Sequence, residues 1–157
     1  MKNTLLLLMI VVSTATAIIT QDSKPALADD ASRNYIGPSF NFGSSSSFVG
    51  IDSKFSVTDN ISLRPFISFL SGGTRLGTGI SYDWDLSKSG TPIVPFIGVG
   101  IGFSIGNSNF IASSSSFAQV GVDFNANESL NLLGAVSIPF DSNVSSTAIN
   151  LGVGLRF

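Results

Sequence analysis

The stretch IVPFIGVGIGFSIG, residues 93–106, decides the fold, because its two alternate sets of residues differ sharply. One set is bulky and apolar and the other is dominated by glycine, and the members of the bulky set are Ile93, Pro95, Ile97, Val99, Ile101, Phe103 and Ile105. A period of two residues is typical of a β-strand, in which successive side chains point to opposite faces. The stretch therefore predicts a long strand with one bulky face and one small face.

The same alternation recurs along the chain from Asn34 onward, without any window of helical period. Clusters of Gly, Ser, Asn and Asp separate the alternating segments, and such short connections favour antiparallel neighbours. The predicted strands are 34–43, 47–57, 61–70, 74–86, 92–106, 116–126, 129–140 and 146–157. These eight segments predict an all-β, antiparallel, up-and-down meander.

The composition of the small face indicates which face points outward. A soluble barrel of the lipocalin kind hides its apolar face, but an eight-stranded lumen has little room for so many bulky side chains. The small face instead carries 12 of the 16 glycines, which suit a cramped interior: Gly37, Gly43, Gly50, Gly77, Gly79, Gly98, Gly100, Gly102, Gly106, Gly121, Gly152 and Gly154. We therefore predict an eight-stranded transmembrane β-barrel with its apolar face in lipid.

Charged residues support this orientation. A lipid-facing surface excludes charge, and every charge assigned to a strand interior falls on the small face. The set has four acids and four bases, and we predict that it forms a structural charge network in the lumen: Asp52, Lys54, Arg64, Arg75, Asp83, Asp85, Asp123 and Arg156. Pairing across the lumen would offset the cost of burying each charge.

Outward aromatic residues fall at the two ends of the predicted barrel. One group comes late in the odd-numbered strands and the other late in the even-numbered strands: Phe42, Phe69, Phe103 and Phe140, then Phe55, Tyr82, Trp84, Phe124 and Phe157. Aromatic girdles at both membrane interfaces are typical of transmembrane barrels.

The first segment is typical of an export signal. Lys2 precedes an apolar core that runs from Leu5 to about Ile19, and a small-residue site follows at Ala26-Leu27-Ala28. We predict a signal peptide over 1–28, an N-terminal arm over 29–33 and a barrel domain over 34–157, with cleavage after Ala17 as the alternative. The chain has a net charge of −2 and no cluster of basic residues, which argues against nucleic acid as a partner.

With these residues in view, the chain resembles the small outer-membrane β-barrel proteins of Gram-negative-type bacteria, the OmpA/OmpX-like group. The resemblance covers 34–157 and is carried by YIGPSFNFG (35–43), VTDNISLRPFISF (57–69) and PFIGVGIGF (95–103), and by the last strand. It implies an outer-membrane location, with contacts to membrane lipid and lipopolysaccharide. It also implies that the outward residues of the last strand form a signal for the barrel-assembly machinery: Ile149, Leu151, Val153, Leu155 and Phe157.

The residues do not favour an enzyme. Catalytic relatives of this barrel group depend on a histidine, and the chain has neither His nor Cys. Asp83 and Asp85 are two residues apart and are more simply members of the ion-pair network than a catalytic pair. No cofactor or metal motif is present. We predict a structural or interaction role for a barrel whose lumen is filled by side chains, with a narrow pore or conduit for small solutes or apolar molecules as the alternative.

Overall fold

The computed structural model describes residues 34–43, 47–86, 92–106, 113–140 and 147–157. The predicted signal peptide and N-terminal arm lie outside the described residues. Eight strands form the fold: β1 (Tyr35–Gly43), β2 (Ser47–Ser56), β3 (Ile61–Leu70), β4 (Gly73–Asp83), β5 (Ile93–Gly106), β6 (Ser113–Asn125), β7 (Leu130–Pro139) and β8 (Ala148–Arg156).

Each strand pairs antiparallel with the next along the chain, and β1 also pairs with β8, so the sheet closes into a barrel. Tyr35 at the start of β1 lies opposite Lys54 on β2 and Arg156 on β8. Closure satisfies the backbone groups that an edge strand would leave unpaired. The predicted all-β, eight-stranded, up-and-down antiparallel barrel is confirmed.

The two faces of the strands differ as the alternation predicts. On β8, the outward residues Ile149, Leu151, Val153 and Leu155 are all exposed, as is Phe157 just beyond its end, whereas Asn150 points inward and is buried. The described part of the outer surface is thus a belt of exposed aliphatic and aromatic side chains, with Leu155 66% exposed and Phe140 63% exposed. Among the described residues, no helix has the length and apolar character needed to cross a membrane.

The barrel has two rims, which we name by what lies at them. The terminal rim holds Asn34 and Phe157 together with the ends of β2, β4 and β6. The loop rim is formed by the ends of β1, β3, β5 and β7 and the starts of the strands that follow them. The outward Phe55 and Phe157 rings meet at the terminal rim with centroids 6.2 Å apart, and those of Tyr82 and Trp84 lie 5.1 Å apart.

Two strand boundaries differ from the sequence prediction by three residues, and the others agree to within two. β4 was predicted to reach residue 86 but ends at Asp83. The amide of Trp84 donates to the carbonyl oxygen of Pro95 at 2.8 Å, but Pro95 has no N–H to return the bond, so the ladder stops there. As a result, Asp85 lies beyond the strand end and is half-buried, so its placement within a strand interior was wrong.

The second difference is at β6, which begins at Ser113 rather than at residue 116. The serine-rich start of β6 has the composition of a loop, but β5 is 14 residues long and offers partners as far as Ser104, which lies opposite Ser113. Pairing with a long neighbour therefore overrides the local composition.

Candidate functional site: the barrel lumen

Four charged side chains meet near the terminal rim and are called the charge cluster: Lys54, Arg64, Asp83 and Asp123. Lys54 Nζ lies 2.6 Å from Asp83 Oδ2 and 3.0 Å from Asp123 Oδ2. Arg64 Nη2 lies 3.3 Å from Asp83 Oδ1 and 2.8 Å from Asp123 Oδ2. Each base thus contacts both acids, and the net charge of the cluster is zero.

The cluster spans the lumen because its members come from β2, β3, β4 and β6, on different sides of the barrel wall. The side chains of Lys54, Arg64, Asp83 and Asp123 are only 4%, 7%, 5% and 2% exposed. Burying ions is costly unless their remaining hydrogen-bonding capacity is satisfied. Removal of any one member would therefore leave a buried charge without full compensation.

Neighbouring hydroxyl groups complete the hydrogen bonding of the acids. Ser62 and Ser81 each donate to Asp83 at 2.7 Å, and the hydroxyl of Tyr35 donates to Asp123 at 3.1 Å. Arg64 Nε donates to Ser81 Oγ at 2.8 Å. The guanidinium carbon of Arg64 also lies 3.5 Å from the centroid of the Phe96 ring, so a cation–π contact supports it on one side.

Inward aromatic rings fill much of the remaining lumen, and the glycines make room for them. A Cβ atom built on Gly121 would lie 2.7 Å from Phe96 Cζ, and one built on Gly100 would lie 2.5 Å from Phe117 Cζ. In both cases the glycine and the ring are direct partners on neighbouring strands. The glycine-rich face is therefore covered by aromatic rings at these positions rather than left as a water-filled path, in an arrangement known to stabilise strand glycines.

Arg75 lies nearer the loop rim, apart from the charge cluster. Its Nη2 donates to Ser115 Oγ at 2.7 Å, and its guanidinium carbon lies 5.8 Å from the ring centroids of both Phe66 and Phe117. The two rings themselves form an edge-to-face pair with centroids 5.9 Å apart. A Cβ at Gly102 would lie 2.7 Å from Arg75 Nε, so this glycine makes room for the arginine.

A cavity of about 60 Å³ occupies the loop-rim half of the lumen. Tyr35 and Arg64 line it at the charge-cluster end, and Phe48, Pro139 and Ala148 line it toward the loop rim. Its wall also includes Asp52, Arg75, Phe66, Phe117, Gln119 and Asn150. Since one water molecule needs roughly 10–15 Å³ of such volume, the cavity has room for a few waters or a small ligand.

The structure thus brings together only part of the predicted eight-residue network. Asp52 accepts a hydrogen bond from Asn150 Nδ2 at 3.1 Å and lines the cavity. Arg156 donates from Nη1 to the backbone oxygen of Asn127 at 2.7 Å, at the terminal rim. Asp85 lies beyond β4. The remaining base, Arg75, bonds to a serine hydroxyl rather than to a carboxylate.

Sequence reasoning missed the inward aromatic residues that pack around the charged groups: Tyr35, Phe66, Phe96 and Phe117. The two-residue period of each strand could have identified them as inward residues. Tyr35 is two residues before Gly37, Phe66 is two residues after Arg64, and Phe96 is two residues before Gly98, and each of those reference residues was assigned to the inner face. These four rings are exceptions to the small inner face, which is otherwise dominated by glycine and serine.

No group of three or more His, Cys, Asp or Glu side chains in the described ranges is arranged to hold a metal ion. Four of the five residues predicted to form an assembly signal lie on the outer face of β8, which closes the barrel against β1, and the exposed Phe157 follows directly after its end. The amide of Phe157 donates to the backbone oxygen of Asn34 at 3.2 Å, which extends that closure to the terminal rim.

Comparison with solved structures identifies the architecture. The structure is similar to the N-terminal β-barrel domain of Pseudomonas aeruginosa OprF, with a TM-score of 0.60 and 15% identity over 79% of this chain and 96% of that one. The fold is that of a small OmpA/OmpX-like barrel. The chain is also similar to a de novo designed transmembrane β-barrel, with a TM-score of 0.62 and 13% identity over 79% of this chain and 95% of that one. It is also similar to the designed barrel TMB2.3, with a TM-score of 0.59 and 12% identity over 79% of this chain and 92% of that one.

No family model matches the chain, and no curated protein matches its sequence. At such low identity, the shared feature is the closed eight-stranded barrel itself. The small barrels differ from this chain at most positions, so the chemistry of the lumen has to be deduced from the chain's own residues.

Proposed function

We propose that this protein is an integral outer-membrane β-barrel with a structural or interaction role, and that its charge cluster closes the lumen. The observation that carries the proposal is that Lys54 and Arg64 each contact both Asp83 and Asp123 across the barrel interior. A continuous water path through an eight-stranded barrel would have to pass this buried, fully paired set. An interior of this size is just wide enough for side chains to fill.

The outer surface supports insertion into a membrane. A water-soluble barrel would expose polar side chains, whereas this one exposes a continuous apolar belt, with Ile80 and Val99 each 58% exposed. Aromatic side chains flank the belt at both rims, among them Trp84 at the terminal rim and Phe140 at the loop rim. Similarity to the OprF barrel domain favours the bacterial outer membrane as the location.

The proposal includes the partners that such a location requires. The apolar belt contacts outer-membrane lipid and lipopolysaccharide, and the chain reaches the membrane by way of a signal peptide over 1–28. The barrel-assembly machinery recognises the outward residues of β8, which forms the closing pair with β1.

A non-enzymatic role follows from the chemistry of the lumen. The carboxylates of Asp83 and Asp123 are held in ion pairs and hydrogen bonds, so neither is placed to accept a proton from a substrate. The sequence also contains no histidine to act as a general base near neutral pH. Asp83 and Asp123 therefore have a structural role in this proposal.

Two measurements on protein refolded into lipid vesicles test the proposal. A closed membrane barrel should resist SDS until it is heated, so that unboiled and boiled samples migrate differently on a gel. Vesicles that contain it should swell no faster in isosmotic arabinose than vesicles without protein. Equal mobility of the two samples would contradict the membrane barrel, and fast swelling would instead favour the narrow pore.

A further inference from the structure

The cavity in the loop-rim half of the lumen contains a cation whose bonding differs from that of the charge cluster. Arg64 has carboxylate partners on two sides, whereas Arg75 has none among the described residues. Its one hydrogen bond to a described residue runs from Nη2 to Ser115 Oγ. Its Nε is buried and has no hydrogen-bond acceptor among the described residues. Arg75 as a whole is half-buried, but an unsatisfied donor at a buried nitrogen is costly, and an anionic ligand would supply the missing acceptor.

The surroundings of Arg75 hold it in place. Ser115 fixes one nitrogen of the guanidinium, and the rings of Phe66 and Phe117 lie at equal distances of 5.8 Å from its central carbon. Because these contacts already limit the rotamers of Arg75, little side-chain entropy remains to be lost when a ligand binds. Both rings also line the cavity and offer an apolar surface beside the cation.

We propose that this cavity binds a small organic monocarboxylate, with Arg75 as the anion-binding residue and with Phe66 and Phe117 contacting the apolar part of the ligand. The carboxylate accepts hydrogen bonds from the guanidinium, which is the cation best matched to its planar geometry. Gln119 and Asn150 line the same cavity and supply polar groups that can orient the ligand.

Charge and volume limit the class of ligand. Asp52 also lines the cavity, and its carboxylate disfavours a second negative charge on the ligand. The cavity volume of about 60 Å³ suits a molecule of a few heavy atoms rather than a lipid chain or an oligosaccharide. A short monocarboxylate therefore fits better than a dicarboxylate or an inorganic phosphate dianion. The proposal does not depend on whether the lumen is closed, because Arg75 and the two rings lie toward the loop rim, while Arg64 of the charge cluster lines the opposite end of the cavity.

Isothermal titration calorimetry with butyrate, on the full-length protein purified from membranes in detergent, tests the proposal. We expect saturable binding of butyrate. Neutral butyramide should bind at least about tenfold more weakly because it loses the charge-assisted hydrogen bond to Arg75. Succinate should be weakened by a similar factor because its second carboxylate is repelled by Asp52. Arg75→Gln should weaken butyrate binding by a similar factor. Arg156→Gln is the matched control, since it removes the same charge at the terminal rim and should leave the affinity unchanged.

Nuclear magnetic resonance of the unsubstituted protein gives a second readout that does not depend on the folding of a variant. Butyrate should shift the amide resonances of Gly102 and Ser115, beside Arg75, more than those of Ser62 and Ser81, beside the charge cluster. The proposal is overturned if butyrate gives no saturable signal, if butyramide binds equally well, if Arg75→Gln keeps the original affinity, or if the largest shifts lie away from Arg75.

Discussion

Replacing Arg64 by Ala leaves Asp83 and Asp123 to share one cation, Lys54, inside the lumen. The substitution removes contacts at 3.3 Å and 2.8 Å to the two carboxylates, together with the hydrogen bond to Ser81 and the cation–π contact with Phe96. A buried ion pair that loses one partner costs about 3–5 kcal/mol, because an uncompensated charge remains in a medium of low polarity. We expect Arg64→Ala to reduce the free energy of unfolding by about this amount.

A double-mutant cycle separates this charge effect from lost packing. Arg64→Met keeps most of the side-chain volume, and Asp123→Asn keeps the shape of its partner. The double variant retains the pair between Lys54 and Asp83 at 2.6 Å and so remains neutral. It should therefore be more stable than the sum of the single changes predicts, by about 1–3 kcal/mol.

Urea unfolding of the refolded barrel in vesicles, followed by the heat-modifiable gel shift, measures these differences. Arg156→Ala is the control, because Arg156 is half-buried at the terminal rim and its loss should cost no more than about 1 kcal/mol. Equal losses for Arg64→Ala and Arg156→Ala, or strictly additive effects in the cycle, would refute the assignment of the charge cluster as a buried, interdependent unit.

Three further tests address separate parts of the structure, the first of them with a matched pair of variants. Gly121→Ala places a Cβ 2.6 Å from a backbone oxygen and 2.7 Å from the Phe96 ring, and should cost about 1–3 kcal/mol in urea unfolding. Gly134→Ala meets nothing within 4 Å and should stay within about 0.5 kcal/mol, and equal stability of these two variants would contradict the packing of rings on glycines. Trp84, 46% exposed at the terminal rim, should be quenched more by lipids brominated near the headgroup than by lipids brominated deep in the acyl chain, and the reverse order would contradict the aromatic girdle. Phe157→Ala removes at most about 1.5–3 kcal/mol of burial and should refold well in detergent, but its abundance in the outer membrane of cells should fall, and unchanged abundance would contradict recognition of β8 by the assembly machinery.

Strand alternation predicted the fold because each strand has a strong two-residue period and short connections leave few topologies. It also assigned Lys54, Arg64, Asp83 and Asp123 to the inner face, since a side chain's face depends only on its position in the strand. Periodicity alone does not predict which of the inward charges meet. Contacts across the lumen depend on the stagger between strands, a property of the closed barrel that no single strand encodes.

Asp52 and Lys54 illustrate this limit. They are neighbours on the same face of β2, yet Lys54 joins the charge cluster while Asp52 accepts a hydrogen bond from Asn150 on β8, two strands away around the wall. Asp85 illustrates a different limit, since its position depends on where β4 ends. That end is determined by Pro95 on the neighbouring strand, which cannot return the hydrogen bond that Trp84 donates.

Single-channel recording in planar lipid bilayers tests most directly whether the charge cluster closes the lumen. Lys54, Arg64, Asp83 and Asp123 form a buried, fully paired barrier across the interior, so the refolded protein should insert without producing stepwise current. A variant with all four changed to Ala removes the barrier without changing the net charge, and it should conduct if it inserts. Regular conductance steps from the unaltered protein would contradict a closed lumen and show that ions pass the cluster.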